Sequence, residues 1–194
     1  MTDKIEINIL YDSKNRGEIS FTDIANQNNS MDSEDYKPES FWGLTGGFQV
    51  TIDDYKTIFS STDFHYLVKA TSFLIHSMYW IKDKKSEWFD TDDTFPNDVI
   101  VKSTDNNLIR LQKYTDAKLE FSYVSTKQNY IRKRGDRFFE GLMIDKQEWF
   151  RQTNIALKEY FDTLLFVSNK AENDKTSKVM SEYYDLWKAI SNGN

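Results

Sequence analysis

Apolar and polar side chains alternate over residues 4–11, with Ile5, Ile7 and Ile9 on one face and Glu6 and Asn8 on the other. A period of two marks a strand with one buried face. Ile19 and Phe21 repeat it beyond Asn15-Arg16-Gly17, which predicts two strands joined by a turn. Residues 26–40 are polar and aperiodic, as a loop is. Phe41-Trp42-Gly43-Leu44-Thr45-Gly46-Gly47 then leads into Phe48, Val50 and Ile52, a third strand whose glycines permit a bulge or a close backbone approach. Asp53-Asp54 reads as a hairpin turn before a short strand through Phe59, with the N-cap of a short helix as the alternative.

The period changes after residue 62. Phe64, Leu67, Val68, Leu74, Ile75, Met78 and Ile81 form one apolar row and Tyr66, Phe73 and Trp80 a second, which predicts a helix of about twenty residues starting at Asp63 or Thr62. Apolar on most of its circumference, it should be the central buried helix, with only His65, Lys69, Ser72 and His76 as a polar seam. Three strands at 98–103, 107–114 and 117–125 follow with short turns, an antiparallel meander, and a fourth lies at 138–144. Asp145-Lys-Gln-Glu148 is a capping-box sequence ahead of Trp149, Thr153, Ala156, Leu157, Tyr160, Phe161, Leu164 and Leu165. A last helix carries Val179, Tyr183, Leu186, Trp187 and Ile190. The expected fold is α+β: a mostly antiparallel sheet of about six to eight strands against two long helices. Residues 1–170 form that domain, and the helix in 171–194 either packs on it or serves association.

Composition narrows the chemistry. The 194 residues contain no cysteine and two histidines, which removes disulfides, thiol nucleophiles and thiolate metal sites and leaves little for nitrogen-ligated metal. A 15% aromatic share lets a few large side chains build the core. The start of the chain has charges where a signal peptide needs an apolar run, and no apolar stretch is long enough to span a bilayer, so a soluble, cytoplasmic protein with no membrane association is expected.

No catalytic motif emerges. Ser72 and His76 have the i, i+4 spacing of a hydroxyl–imidazole contact, but nothing around them supplies an orienting acid or a nucleophile elbow. His65 and His76 are roughly 16 Å apart along a straight helix, too far to share a metal. Asp90-Thr-Asp92-Asp93 starts like a calcium loop, yet Phe95 stands where the glycine belongs and Val101 where the glutamate does. Gly43 to Gly47 matches neither phosphate-binding glycine motif. No cofactor and no metal is expected.

Charge segregation carries more. The net charge is −6, and between Glu87 and Asp98 lie five acids and no base. Glu87, Asp90, Asp92 and Asp93 are interleaved there with Trp88, Phe89 and Phe95, while Asp32, Glu34, Asp35 and Glu39 are flanked by Tyr36, Phe41 and Trp42. Such segments are either solvated loops whose aromatics fold inward or a surface that steers and anchors a basic protein. The opposite sign gathers at Lys127, Arg132, Lys133, Arg134 and Arg137, where basic residues among aromatics could hold single-stranded nucleic acid. The overall charge argues against that partner.

The run into Gly46-Gly47-Phe48-Gln49-Val50, the aromatic helix ending Met78-Tyr79-Trp80, the meander and the capped helix from Asp145 resemble, over residues 17–168, the small α+β immunity proteins of bacterial polymorphic-toxin systems. The resemblance lies in element order and carries no family site residues. It implies a non-enzymatic inhibitor that occludes a cognate toxin; the charge pattern makes that partner a basic toxin or effector and Tyr36, Trp42 and the acidic–aromatic stretch from Glu87 to Phe95 its contact surface, and the C-terminal helix leaves a homodimer as a further outcome. Two alternatives stand beside it: a hydrolase-type enzyme using carboxylates or Ser72/His76 in a sheet–helix cleft, and a phage-encoded or regulatory module binding nucleic acid through 127–137.

Overall fold

A computed structural model of the chain describes residues 4–13, 17–21, 23, 43–53, 55–84, 94–95, 98–127, 131, 137–168 and 174–192. In chain order the elements are β1 (Ile5–Ser13), β2 (Gly17–Ser20), β3 (Gly46–Ile52), β4 (Tyr55–Phe59), α1 (Ser61–Phe64), α2 (Leu67–Ile81), β5 (Thr94–Phe95), β6 (Asp98–Lys102), β7 (Leu108–Lys113), β8 (Lys118–Val124), β9 (Phe139–Asp145), α3 (Lys146–Ser168) and α4 (Asp174–Ser191). The protein is α+β with antiparallel pairing throughout, and the strands divide into two sheets. One has the order β2-β1-β3-β4 and the other is the meander β5-β6-β7-β8-β9.

Alternation works as the pattern requires. Ile5, Ile7 and Ile9 are buried while Glu6 faces solvent, and β1 pairs with β3 from Ile5↔Ile52 to Tyr11↔Gly46. Asp53 makes the hairpin turn between β3 and β4 with φ 51°, and its side chain accepts from Lys4 N at 3.0 Å. At the far edge of the meander, Gly141 with φ 77° forms a bulge opposite Ser122, which bends β9.

Helix α2 is the centre. Twelve of its residues are buried, it packs on β3 of one sheet and β6 of the other, and only Lys69, Ser72 and His76 escape full burial. Aromatic rings join the sheets around it. Phe48 lies 4.9 Å from Phe59, and Phe59 in turn is 6.0 Å from Phe121 and 5.2 Å from Tyr123 of β8. Helix α3 covers β1 and β9, and Trp149 from its first turns is buried 5.4 Å from Phe121. The C-terminal helix α4 lies against α2 and α3. Trp187 stacks on Phe161 at 5.4 Å and donates to Asn154 Oδ1 at 2.8 Å, and the Tyr79 hydroxyl donates to Leu186 O at 2.9 Å.

Three local expectations are corrected. The helix expected from Asp63 is interrupted: α1 ends at Phe64 and α2 begins at Leu67. Its cap is Ser60 rather than Asp63, which instead occupies the third helical position of a Ser60–Asp63 capping box. At α3, Asp145 Oδ1 accepts from Gln147 N and Glu148 N, each at 3.0 Å. Glu148 does not complete that box by reaching back; it turns forward to Arg151 at 2.6 and 2.8 Å and to Gln152 at 3.1 Å.

Candidate functional site

The densest polar chemistry among the described residues lies where the two sheets meet, around Asp63. The capping box places its carboxylate under Ser60 N, at 2.9 Å, and turns it inward, 4% exposed. There Oδ2 also accepts from Arg137 Nη2 at 2.7 Å and Oδ1 from the Tyr123 hydroxyl at 3.2 Å. Arg137 precedes β9, donates a second bond to Ile58 O at 2.6 Å, and holds its guanidinium 5.8 Å from the centre of the Tyr123 ring. One carboxylate thus connects the end of β4 and α1 with β8 and the start of β9.

The electrostatics follow from that placement. Burial raises the Tyr123 hydroxyl above its ordinary pKa, and the Asp63 charge raises it further. Burial works against charge on Arg137, but the hydrogen bond and charge of Asp63 outweigh it and raise its pKa. Glu18 in β2 is raised by burial first, then by Asp12, its direct partner across the β1–β2 ladder, and by Asp63, with Arg137 opposing. Asp12 in turn accepts from Ser61 Oγ at 2.8 Å, which ties β1 to α1.

A second feature is a cleft of about 780 Å³ between the end of α2, the β7–β8 turn and the start of α3. Ile81, Lys82, Asp116, Lys146 and Phe150 line it, with Lys82 Nζ 4.9 Å from the centre of the Phe150 ring. Beside it Lys113 pairs with Asp83 at 2.6 Å, and that hydrogen bond holds the Asp83 carboxyl below its usual range. Asp145 is committed to capping α3, so the cleft offers two lysines and one aromatic face against Asp116.

The expected sites are distributed otherwise. Of the basic group, Lys127 is exposed, whereas Arg137 is drawn into the Asp63 ion pair and is no longer a free cation for a phosphate; Arg132, Lys133 and Arg134 lie outside the described residues. Tyr36, Trp42, Glu87, Trp88, Phe89, Asp90, Asp92 and Asp93 also lie outside them, and Phe95 is placed only as backbone, paired with Asp98. What is fixed is where these stretches attach. Leu44, just after the first, accepts from Leu67 N at 2.7 Å at the start of α2, and the second runs between Lys84 at the end of α2 and the edge strand β5. The two anchor points are separated by the length of α2, roughly 22 Å.

Ser72 is half-buried and bonded within the fold. Its Oγ donates to Val68 O at 2.7 Å and lies 3.1 Å from the Tyr183 hydroxyl of α4. Half-buried His76 does not line the 780 Å³ cleft. No group of His, Asp and Glu among the described residues is placed to hold a metal ion, and no described helix is long and apolar enough to cross a membrane.

The Asp63 site escaped sequence reading. Ser60-Ser-Thr-Asp63 was available as a capping-box signal, but nothing local marks a pairing with Arg137 across 74 positions. No protein-family model matches the chain, and neither a curated protein nor a solved structure does.

Proposed function

We propose that the chain is a non-enzymatic binding protein, an immunity-type inhibitor of the bacterial cytoplasm that captures a basic toxin or effector through residues 32–42 and 87–98. The observation that carries this reading is the segregation of charge in the sequence, five acids and no base from Glu87 to Asp98 interleaved with Trp88, Phe89 and Phe95. Acids raise the rate of encounter with a basic protein and aromatics supply anchoring area. The described residues next to the two stretches support it by position: Leu44, after the first, accepts from Leu67 N at the start of α2, and Lys84, before the second, lies just past its end. The internal commitments of Ser72 and Asp63 support it too, because both groups are spent on holding helices and sheets together.

The test pairs this chain with the protein encoded beside it. The wild-type chain is expected to bind that protein when both are purified and to relieve its toxicity on co-expression. The triple variant W88A/D92N/D93N should keep its circular dichroism spectrum and associate at least about tenfold more slowly at low salt. No binding by the wild-type chain overturns the function; binding unchanged in the triple variant overturns the site.

A further inference from the structure

The break between α1 and α2 can be accounted for bond by bond. In an uninterrupted helix, Tyr66 N would donate to Thr62 O and Leu67 N to Asp63 O. Both carbonyls are taken by another part of the chain. Thr104, exposed in the β6–β7 turn, donates its backbone N–H to Asp63 O at 2.7 Å and its hydroxyl to Thr62 O. The displaced amides find substitutes: Leu67 N donates to Leu44 O at 2.7 Å, and Tyr66 N turns back to Phe64 O at 2.7 Å.

That last bond closes a γ-turn centred on His65, whose φ of 64° and ψ of −52° lie where non-glycine residues rarely rest. The strain sits on exposed side chains, His65 and Tyr66, with ring centres 5.0 Å apart. It is imposed from outside the segment. Locally the sequence favours continuity, since Phe64 falls on the same apolar row as Leu67, Val68 and Leu74, and His65 N already makes the helical bond to Ser61 O at 2.8 Å.

We propose that residues 60–68 are a two-state helix junction, switched by competition between Thr104 and the chain's own Tyr66 and Leu67 amides for the Thr62 and Asp63 carbonyls. In the latched state, the one observed, the β6–β7 turn is docked and His65–Tyr66 projects as a strained turn. In the unlatched state α1 and α2 run on as one helix from Ser61 to Ile81, Thr104 and Leu44 O are released, and the projecting turn is gone. Ser60 and Asp63 cap the helix in both states, so their box is not the switch. Any change that occupies the Thr104 hydroxyl or pulls the β6–β7 turn away biases the junction toward the continuous helix.

Two substitutions at one position push in opposite directions. His65→Gly relieves the positive φ and should hold the latched state, whereas His65→Ala combined with Thr104→Val removes a latch bond and places the best helix former where the turn must be. In the intact chain, NMR is expected to show the Cα shifts of residues 65–67 moving to helical values in H65A/T104V, with loss of hydrogen-exchange protection at the Thr104 amide and gain of it at the Tyr66 amide. H65G should keep the wild-type pattern. Left-handed shifts at residue 65 and a protected Thr104 amide in H65A/T104V would overturn the proposal. Should that double variant fail to fold, T104V alone decides: exchange broadening confined to residues 60–68 and 103–107 supports a switch, and an unbroadened spectrum overturns it.

Discussion

Arg137 Nη2 meets Asp63 Oδ2 at 2.7 Å across the seam between the two sheets, joining residues 74 positions apart. The pair is lopsided: the Asp63 side chain is 6% exposed and that of Arg137 50%. Removing the arginine therefore leaves a buried carboxylate with Ser60 N and the Tyr123 hydroxyl as its donors among the described residues, while water still reaches the arginine side. Arg137→Ala is expected to destabilise by about 1–3 kcal/mol, and Asp63→Ala by more, because it also empties the capping box. In urea melts the double variant should cost clearly less than the sum of the two; strict additivity would show that the pair is not coupled.

The pH dependence at β2 has the opposite sign to that of an ordinary surface carboxylate. Glu18 is held above its usual value of 4.5, first by the partial loss of solvent around its otherwise exposed side chain and then by Asp12 opposite it. The folded chain thus binds this proton more tightly than the unfolded chain does. The contribution is fully present below pH 4.5 and is lost as pH rises through the folded value. Glu18→Gln should raise the melting temperature at pH 7 and leave it unchanged near pH 4, with a gain below about 0.5 kcal/mol because the group is exposed. An equal gain at both pH values would contradict this.

Trp149 is fully buried and its indole N–H donates to Ser77 Oγ at 2.9 Å, which fastens α3 to the central helix. Ser77→Ala leaves the N–H buried without its acceptor, at about 1–3 kcal/mol. Trp149→Ala empties a large volume beside Phe121 and should cost about 3–5 kcal/mol. Once Trp149 is gone the Ser77 partner no longer matters to it, so S77A should be milder in the W149A background; chemical denaturation of the four proteins measures this directly.

The sequence was most legible where one physical signal dominated. Alternation placed β1 and the meander, and the apolar circumference of the helix expected from Asp63 marked it as central, because burial on those faces leaves little freedom. The break at His65 was illegible because its causes, Thr104 and Leu44 O, belong to distant segments. Arg137 looked like one of five cations in a basic connector, and only the arrival of Asp63 beneath Ser60 turns it into a tie between sheets. Division of the strands into two sheets was likewise hidden: β4 and β9 each read as an ordinary strand, and nothing in their spacing says that they end separate ladders.

Two glycines separate the effect of space from that of backbone conformation. Gly47, in β3, has an extended neighbourhood with no room: a Cβ there would stand 1.7 Å from Phe59 O and 2.7 Å from Phe59 C. Those atoms are main chain, fixed by the Phe48↔Phe59 pairing, and the chain continues at once into the Ser60 cap. They cannot swing aside as a side chain would. Gly47→Ala must push β4 off β3, and Phe59 then loses its contacts with Phe48, Phe121 and Tyr123, the aromatic link between the sheets. Gly141 is the reverse case, with φ 77° and nothing within 4 Å of an added Cβ, so alanine there meets only the left-handed backbone. Gly141→Ala should cost about 1–2 kcal/mol and leave the cooperativity of unfolding intact. Gly47→Ala should cost about 3 kcal/mol or more and flatten the near-ultraviolet aromatic circular dichroism. Equal costs at the two positions would mean that the β3–β4 ladder yields to a methyl group, and that the link through Phe59 is looser than its ring distances imply.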